Sequence, residues 1–324
     1  MSRAKKFDNA RKTRLGKLRV PAWFKNAPLW LLVFVMALML LLATVYGASK
    51  SGDGPEPSPT ATPSQIYEAE PEPNPNMVEA PDQPEILKAI AAIEESGEME
   101  VGVAISAIGT VETRPQDTWS GGTIVSGPAW ATATIPAAIA ILDEAKQPED
   151  RKYMFEKSFV EGSPAGDDAL WAYLGTHDQA VSKTLRILHR YGDWGTAIPS
   201  EEEAESHPYR QVLWPLKNQS EFMAEMQCDW VHTVPVMAKM DEPTNSPIGL
   251  QTIPRSFSKS GDGTKDGVFS LRQTGLIDLQ DGTPVAVTIM VNNKTGDKEA
   301  TRDALTTLAK TVASQAKGFA RPSC

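Results

Sequence analysis

From Pro28 to Ala48 the chain reads PLWLLVFVMALMLLLATVYGA, a stretch without a single charge. About twenty such residues suffice for a helix to cross the ~30 Å hydrocarbon core of a bilayer. No other feature restricts the chain as much, because everything before it and everything after it must then lie on opposite sides of a membrane. Residues 1–27 carry nine Lys or Arg against the single Asp8, a net of +8 in a chain whose total is -9, which leaves -17 for the remainder. Lys/Arg-rich flanks stay in the cytoplasm, so the reading is a single-pass anchor with residues 1–27 inside and the chain from Ser49 onward outside. Trp23, Trp30 and Tyr46 suit the two interfaces. The competing reading is a cleaved signal peptide ending at Tyr46-Gly47-Ala48, although signal cores run only about 7 to 15 residues. The basic arm reads as a topology determinant, with contact to anionic lipid as its alternative.

Residues 49–84 are rich in Pro, Glu and Ser and poor in apolar side chains, so they cannot bury enough surface to order themselves and read as a spacer. One extracytoplasmic domain follows over residues 85–324. Its two cysteines, Cys228 and Cys324, lie where thiols oxidise, and a disulfide between them is expected. Such a bond closes a 96-residue loop. In the chain-entropy picture that contributes roughly 4–5 kcal/mol.

Within the domain, Ile86, Leu87, Ile90 and Ile93 share one helical face, and Gly97 stops that helix. MEVGVAISAI predicts a strand with a short partner around 118–124, and Thr132–Glu144 predicts a helix. Then the texture changes. DDALWAYLG, QAVSKTLRILHRYG and QSEFMAEMQCDWVHTVPVMAKM are helical, so residues 146–246 read as an all-helical insert. Strands return as GLQTIPRSFSKSG, GVFSLRQTGLIDL and TPVAVTIMV, an antiparallel meander, before a last helix faced by Leu305, Leu308 and Val312. Both ends of the chain thus supply strands and the middle supplies helices. The pattern is α+β, a five-stranded antiparallel sheet with flanking helices plus an all-helical subdomain.

That order, with AWATATIPAAIAIL, DDALWAYLG, RYGDWGTA, EFMAEMQC and SKSG followed by RQTGLI, resembles the serine β-lactamase and penicillin-binding protein family, especially class A-like exported proteins of actinobacteria. The resemblance covers essentially all of residues 85–324. It implies three motifs around one pocket: Ser-x-x-Lys at a helix start, Ser-x-Asn in the helical half, and Lys-Thr/Ser-Gly on a strand. Residues three apart share a helix face, so the lysine amine reaches the serine hydroxyl and takes its proton.

Here the first motif falls on Ala131-Thr132-Ala133-Thr134, which holds neither Ser nor Lys. Ala131 has no atom with which to form an acyl-enzyme, and Thr134 is no base near neutral pH. The second falls on Gly162-Ser163-Pro164, or on Ser163-Pro164-Ala165 if slid by one; neither register holds the Asn. The third is intact as Lys259-Ser260-Gly261, read as the end of a strand before a turn, where Lys259 would receive a carboxylate with help from the Ser260 hydroxyl. Trp130, just before the degenerate motif, is the candidate pocket wall. A literal Lys294-Thr295-Gly296 follows the last strand and reads as a loop. Literal Ser-x-x-Lys at Ser2, Ser256 and Ser314 opens no apolar helix.

The resemblance therefore implies a non-catalytic domain with a binding or scaffold role in the cell envelope, Ala131, Thr132, Thr134 and Ser163 marking degenerate positions. Its alternative is an active β-lactamase or D,D-peptidase with Thr132 or Ser163 as a relocated nucleophile. The expected partners are the cytoplasmic membrane and peptidoglycan stem peptide or envelope proteins, not nucleic acid. His177, His189, His207 and His232 show no ligand spacing, so no metal is expected, and no cofactor.

Overall fold

The structure, a computed structural model, describes residues 70–144, 148–200, 202–203, 207–241 and 246–324. The expected cytoplasmic arm, the membrane segment and the spacer up to residue 69 lie outside the described residues. Among the described residues no helix is long and apolar enough to cross a membrane.

The sheet is built from β1 (Met99–Ala107), β2 (Trp119–Gly122), β5 (Phe257–Lys265), β6 (Val268–Asp278) and β7 (Pro284–Asn293), in the order β2-β1-β7-β6-β5. All its pairings are antiparallel, and β1 joins the two halves through β7, with Ala104 opposite Thr288. This is the expected α+β sheet. Its central strands are apolar on both sides because both faces are covered. On one face lie α1 (Pro84–Glu94) and α8 (Lys298–Gln315), packing Ile86, Ile90, Leu305, Leu308 and Val312 against Val103, Val287 and Ile289. Pro84 starts α1 where its missing N–H is harmless, Gly97 at φ 72° follows its end, and Asp297 caps α8 by accepting from Glu299 and Ala300 N–H groups.

The other face meets the helical half. Its centre is α2 (Thr134–Glu144), buried continuously from Thr134 to Ile141, which is why this helix is apolar around its whole circumference instead of along one stripe. Removing one such side chain, as in Ile139→Ala, would cost about 2–5 kcal/mol. Around α2 stand α3 (Pro148–Phe155), α4 (Pro164–Tyr173), α5 (His177–Arg190), α6 (Leu216–Cys228) and α7 (Trp230–Met240). A small two-stranded antiparallel sheet, β3 (Ser126–Pro128) with β4 (Leu213–Pro215), lies outside the main sheet.

Three local expectations are corrected. The stretch from Gly249 does not run as a strand: residues Gly249–Thr252 form a 3-10 turn, Arg255 sits at φ 59°, and β5 begins only at Phe257. Pro254 and the Leu250 N–H, which is given to the Gln273 side chain, break the alternation that the sequence suggested. The insert also gains α3, continued by a π-helical turn at Glu156–Val160, and its last predicted helix divides into α6 and α7 at Asp229. Finally, the chain is tied to the domain before Glu85, since Asn74 N–H donates to Val111 O at 3.1 Å and Val78 N–H to Pro115 O at 3.1 Å. The expected disulfide is present between Cys228 and Cys324.

Candidate functional site

The segment that opens α2 is a 3-10 turn, Trp130–Ala133, laid against β5. Trp130 adopts φ 48°, a left-handed conformation that costs a non-glycine residue on the order of 1–2 kcal/mol. Contact with β5 holds it there. A Cβ on Gly263 would fall 2.4 Å from the Trp130 ring, and one on Gly261 would fall 2.6 Å from Ala131 N, so both glycines are required by close approach. Trp130 packs against the strand at Gly263. Its indole N–H is buried with no partner among the described residues.

Neither threonine of the first motif faces the strand. Thr132 is fully buried; its hydroxyl donates to Ala129 O at 2.6 Å and accepts from Gln219 Nε2 at 2.9 Å. Gln219 Oε1 in turn accepts from Arg272 Nε at 2.6 Å, and Arg272 Nη1 donates to Gly127 O and Trp214 O, each at 2.9 Å. Complete burial brings the Arg272 guanidinium down to about 9. Thr134, also buried, donates to Ala131 O at 2.7 Å. Each hydroxyl satisfies a carbonyl of its own turn, the usual local fate of threonine at a helix start. Ala131 itself is partly exposed.

The third motif occupies the beginning of β5, not the end of a strand, and alternation sends its residues to different faces. Ser260 accepts from Gln273 Nε2 at 2.7 Å on the face covered by α8. Lys259 points the other way, into the helical half. There its ammonium donates to Ser158 O at 2.5 Å and to Ser158 Oγ at 3.3 Å, pairs with Asp167 Oδ1 at 3.5 Å, and sits 4.7 Å above the Phe159 ring. Ser158 Oγ donates to the same Asp167 oxygen at 2.6 Å, and Arg210 reaches the other one at 3.4 Å. Burial pulls the Lys259 ammonium below its ordinary range, with Asp167 opposing the shift. The carboxylate expected from a ligand is already supplied from within the chain.

Motif reasoning missed Ser158, Asp167 and Arg302. Ser158 lies on the π-helical turn, whose widened spacing places it beside a strand 101 residues later in the chain. Asp167 sits in the first turn of α4, where it reads as an ordinary dipole-complementing acid. Nothing in the local sequence distinguishes Arg302 from other exposed charges on α8.

At the second motif, Gly162 takes φ 61° and Pro164 opens α4. Ser163 occupies the N-cap position, but its side chain makes no cap bond. A cavity of about 460 Å³ lies where this turn, the start of β5 and α8 converge, walled by Phe159, Gly162, Ser258, Lys259, Ser260 and Arg302 among others. Gly162, Lys259 and Ser260 are brought together here. Trp130, Ala131, Thr132, Thr134 and Ser163 are not among its lining residues. Among the described residues no group of three or more His, Cys, Asp or Glu is placed to hold a metal.

No family model matches the sequence, and no curated protein does. Solved structures do match. The TLA-3 extended-spectrum β-lactamase superimposes with a TM-score of 0.55 at 16% identity, covering 71% of this chain and 98% of that one. A class A β-lactamase from Bacteroides cellulosilyticus DSM 14838 gives 0.56 at 12%, covering 71% and 96%. PBP-A gives 0.53 at 11%, covering 73% and 97%. Nearly the whole of each of those chains is spanned, at low identity. What is shared at such identities is the backbone architecture, and by that measure this chain has the fold of the serine β-lactamases and penicillin-binding proteins.

Proposed function

We propose that the chain is a membrane-anchored, extracytoplasmic and non-catalytic domain of this fold, which binds rather than hydrolyses its ligand in the cell envelope. The observation that carries the reading is the fate of the three motifs together. The positions for nucleophile and base hold Ala131 and Thr134, the latter buried on its own helix turn, and the surviving Lys259 is tied to Asp167 and Ser158. Acyl transfer needs a hydroxyl with a base in reach. The cavity at β5 nevertheless keeps polar walls at Ser258 and Ser260 and charges of both signs in Arg302 and Glu161, a lining suited to a charged peptide-like ligand such as the stem peptide of peptidoglycan. The anchor at Pro28–Ala48 would hold the domain at the outer membrane surface, where such peptide occurs.

One observation favours the catalytic alternative. Ser158 and Lys259 stand 3.3 Å apart, which is Ser–Lys distance. Yet Ser158 is fully buried and gives its proton to Asp167 at 2.6 Å, so lysine is not its base. Intact-mass spectrometry after incubation with a penicillin tests the reading. An unchanged mass is expected; a covalent adduct overturns it, and peptide mapping of that adduct would distinguish Ser158 from Thr132 or Ser163.

A further inference from the structure

In α7, WVHTVPVMAKM, only His232 and Lys239 can carry a charge, so the helix is apolar on every side. A helix of that composition belongs inside a protein, as α2 does. Yet α7 is covered on one side alone. Thr233, Val236, Met237 and Met240 are buried against the domain, whereas Trp230, Val231 and Val234 remain 39%, 89% and 36% exposed, and Pro235 and Ala238 are exposed with them. Spacings of three, four and seven from Val231 set Val234, Pro235 and Ala238 in line with it on the outer face. Both ionisable groups are paired: His232 meets Asp143 at 3.0 Å, and Lys239 meets Glu156 at 2.6 Å. The outer face itself holds no charge.

We propose that this face of α7 rests on the lipid surface of the membrane, an inference that depends on the anchoring proposed above. Size argues against a stable protein partner. The five side chains offer on the order of 400 Å², about half of what each partner buries in a stable protein–protein interface. So small a contact persists only with a partner kept at hand. The place where the chain enters the domain supplies one. Asn74 N–H donates to Val111 O at 3.1 Å, and Val111 N–H donates to Glu225 at 3.2 Å, on the last turn of α6. That helix ends at Cys228, and α7 begins at Trp230, so the entry and the tryptophan end of α7 are linked through one corner. Residues 49–69, between the apolar span and the first described residue, reach at most about 70 Å when fully extended, against roughly 45 Å across a domain of this size. A tether of that length keeps the local concentration on the order of a millimolar, enough for a weak apolar contact.

The residue types suit that surface. An indole at headgroup level keeps its ring in the apolar boundary and its N–H in water, and Val231, Val234, Pro235 and Ala238 enter the acyl edge as the apolar side of an interfacial helix does. Trp230 is positioned by edge-on contact with Phe257, ring centres 5.9 Å apart. Phe257 opens β5, so contact through α7 sets the direction in which the strand of Lys259 and Ser260 faces relative to the bilayer.

The test uses the full chain in vesicles of phosphatidylethanolamine and phosphatidylglycerol, with bimane on Val231→Cys, on Val234→Cys, or on Asp303→Cys, an exposed position of α8 on the other side of the sheet. All three positions are exposed, so the labels leave the core intact. Doxyl-labelled lipid should lower emission at 231 and 234 at least about twofold and leave 303 unchanged. Adding Val231→Glu should abolish the quenching at 234. Equal quenching at all three positions overturns the proposal, since it reports proximity without a preferred face. So does a blue-shifted label at 231 that doxyl lipid does not quench, which would mean that a second copy or another protein covers the helix. Carbonate extraction separates the two readings. A chain that resists extraction and shows no quenching retains its anchor and loses only this inference, whereas a chain released by carbonate loses both.

Discussion

Lys259 and Asp167 face each other at 3.5 Å with side chains only 4% and 3% exposed, one from the edge strand of the sheet and the other from the first turn of α4. A buried pair adds little net stability when compared with apolar replacements, but losing one partner leaves an uncompensated charge. Asp167→Asn is therefore expected to lower unfolding free energy by about 3 kcal/mol in urea titration. Replacing both residues, as Asp167→Leu with Lys259→Met, should recover most of that loss. An Asp167→Asn variant as stable as the wild type would show that Ser158 alone satisfies Lys259.

The Thr132–Gln219–Arg272 chain makes a second test. Thr132→Val keeps the shape and removes the acceptor of a buried amide, so it should cost about 1–2 kcal/mol in thermal or chemical unfolding. Arg272→Met leaves Gly127 O, Trp214 O and Gln219 Oε1 without their donor and should cost about 3 kcal/mol. Nitrocefin turnover should be absent before and after either change. Turnover that Thr132→Val abolishes would instead identify Thr132 as a nucleophile.

Between Trp130 and Gly263 the cost of one change depends on the other residue. Gly263→Ala places a methyl group 2.4 Å from the indole and should destabilise by about 1–3 kcal/mol through overpacking. In a Trp130→Ala background the same change should cost little, a coupling that a double-mutant cycle reads directly. Equal costs in both backgrounds would mean that the glycine is needed for its backbone and not for the ring.

Glu225 makes stability depend on pH. Burial holds its carboxyl up at about 7 against an ordinary 4.5, so the folded state binds the extra proton between those values. The contribution is fully present below pH 4.5 and is lost as pH rises through about 7. Melting temperature should fall over that window, and Glu225→Gln, which keeps an acceptor for Val111 N–H, should flatten the fall and raise stability at pH 8. A slope unchanged by Glu225→Gln would assign the pH dependence to other groups.

The helices and strands were legible because their signals are local. Ile86 and Ile90 on one helical face, Leu305 with Leu308 and Val312 on another, and the apolar runs of β1 and β7 each report the surface that they bury. The pairing of Cys228 with Cys324 was legible because both cysteines were read as lying where thiols oxidise. The strand at Gly249 was misread because one backbone bond, Leu250 N–H to Gln273, comes from a partner 23 residues away.

By itself, then, the sequence determined the architecture, since it follows from residue types at short spacing. Only the tertiary structure decided what became of the surviving motif. A strand alternates its side chains between faces, and at Lys259 the face is closed by Ser158 and Asp167, 101 and 92 residues distant in the chain. Whether an intact Lys-Ser-Gly offers its cation to a ligand or spends it inside depends on that non-local packing, and short-range pattern carries no record of it.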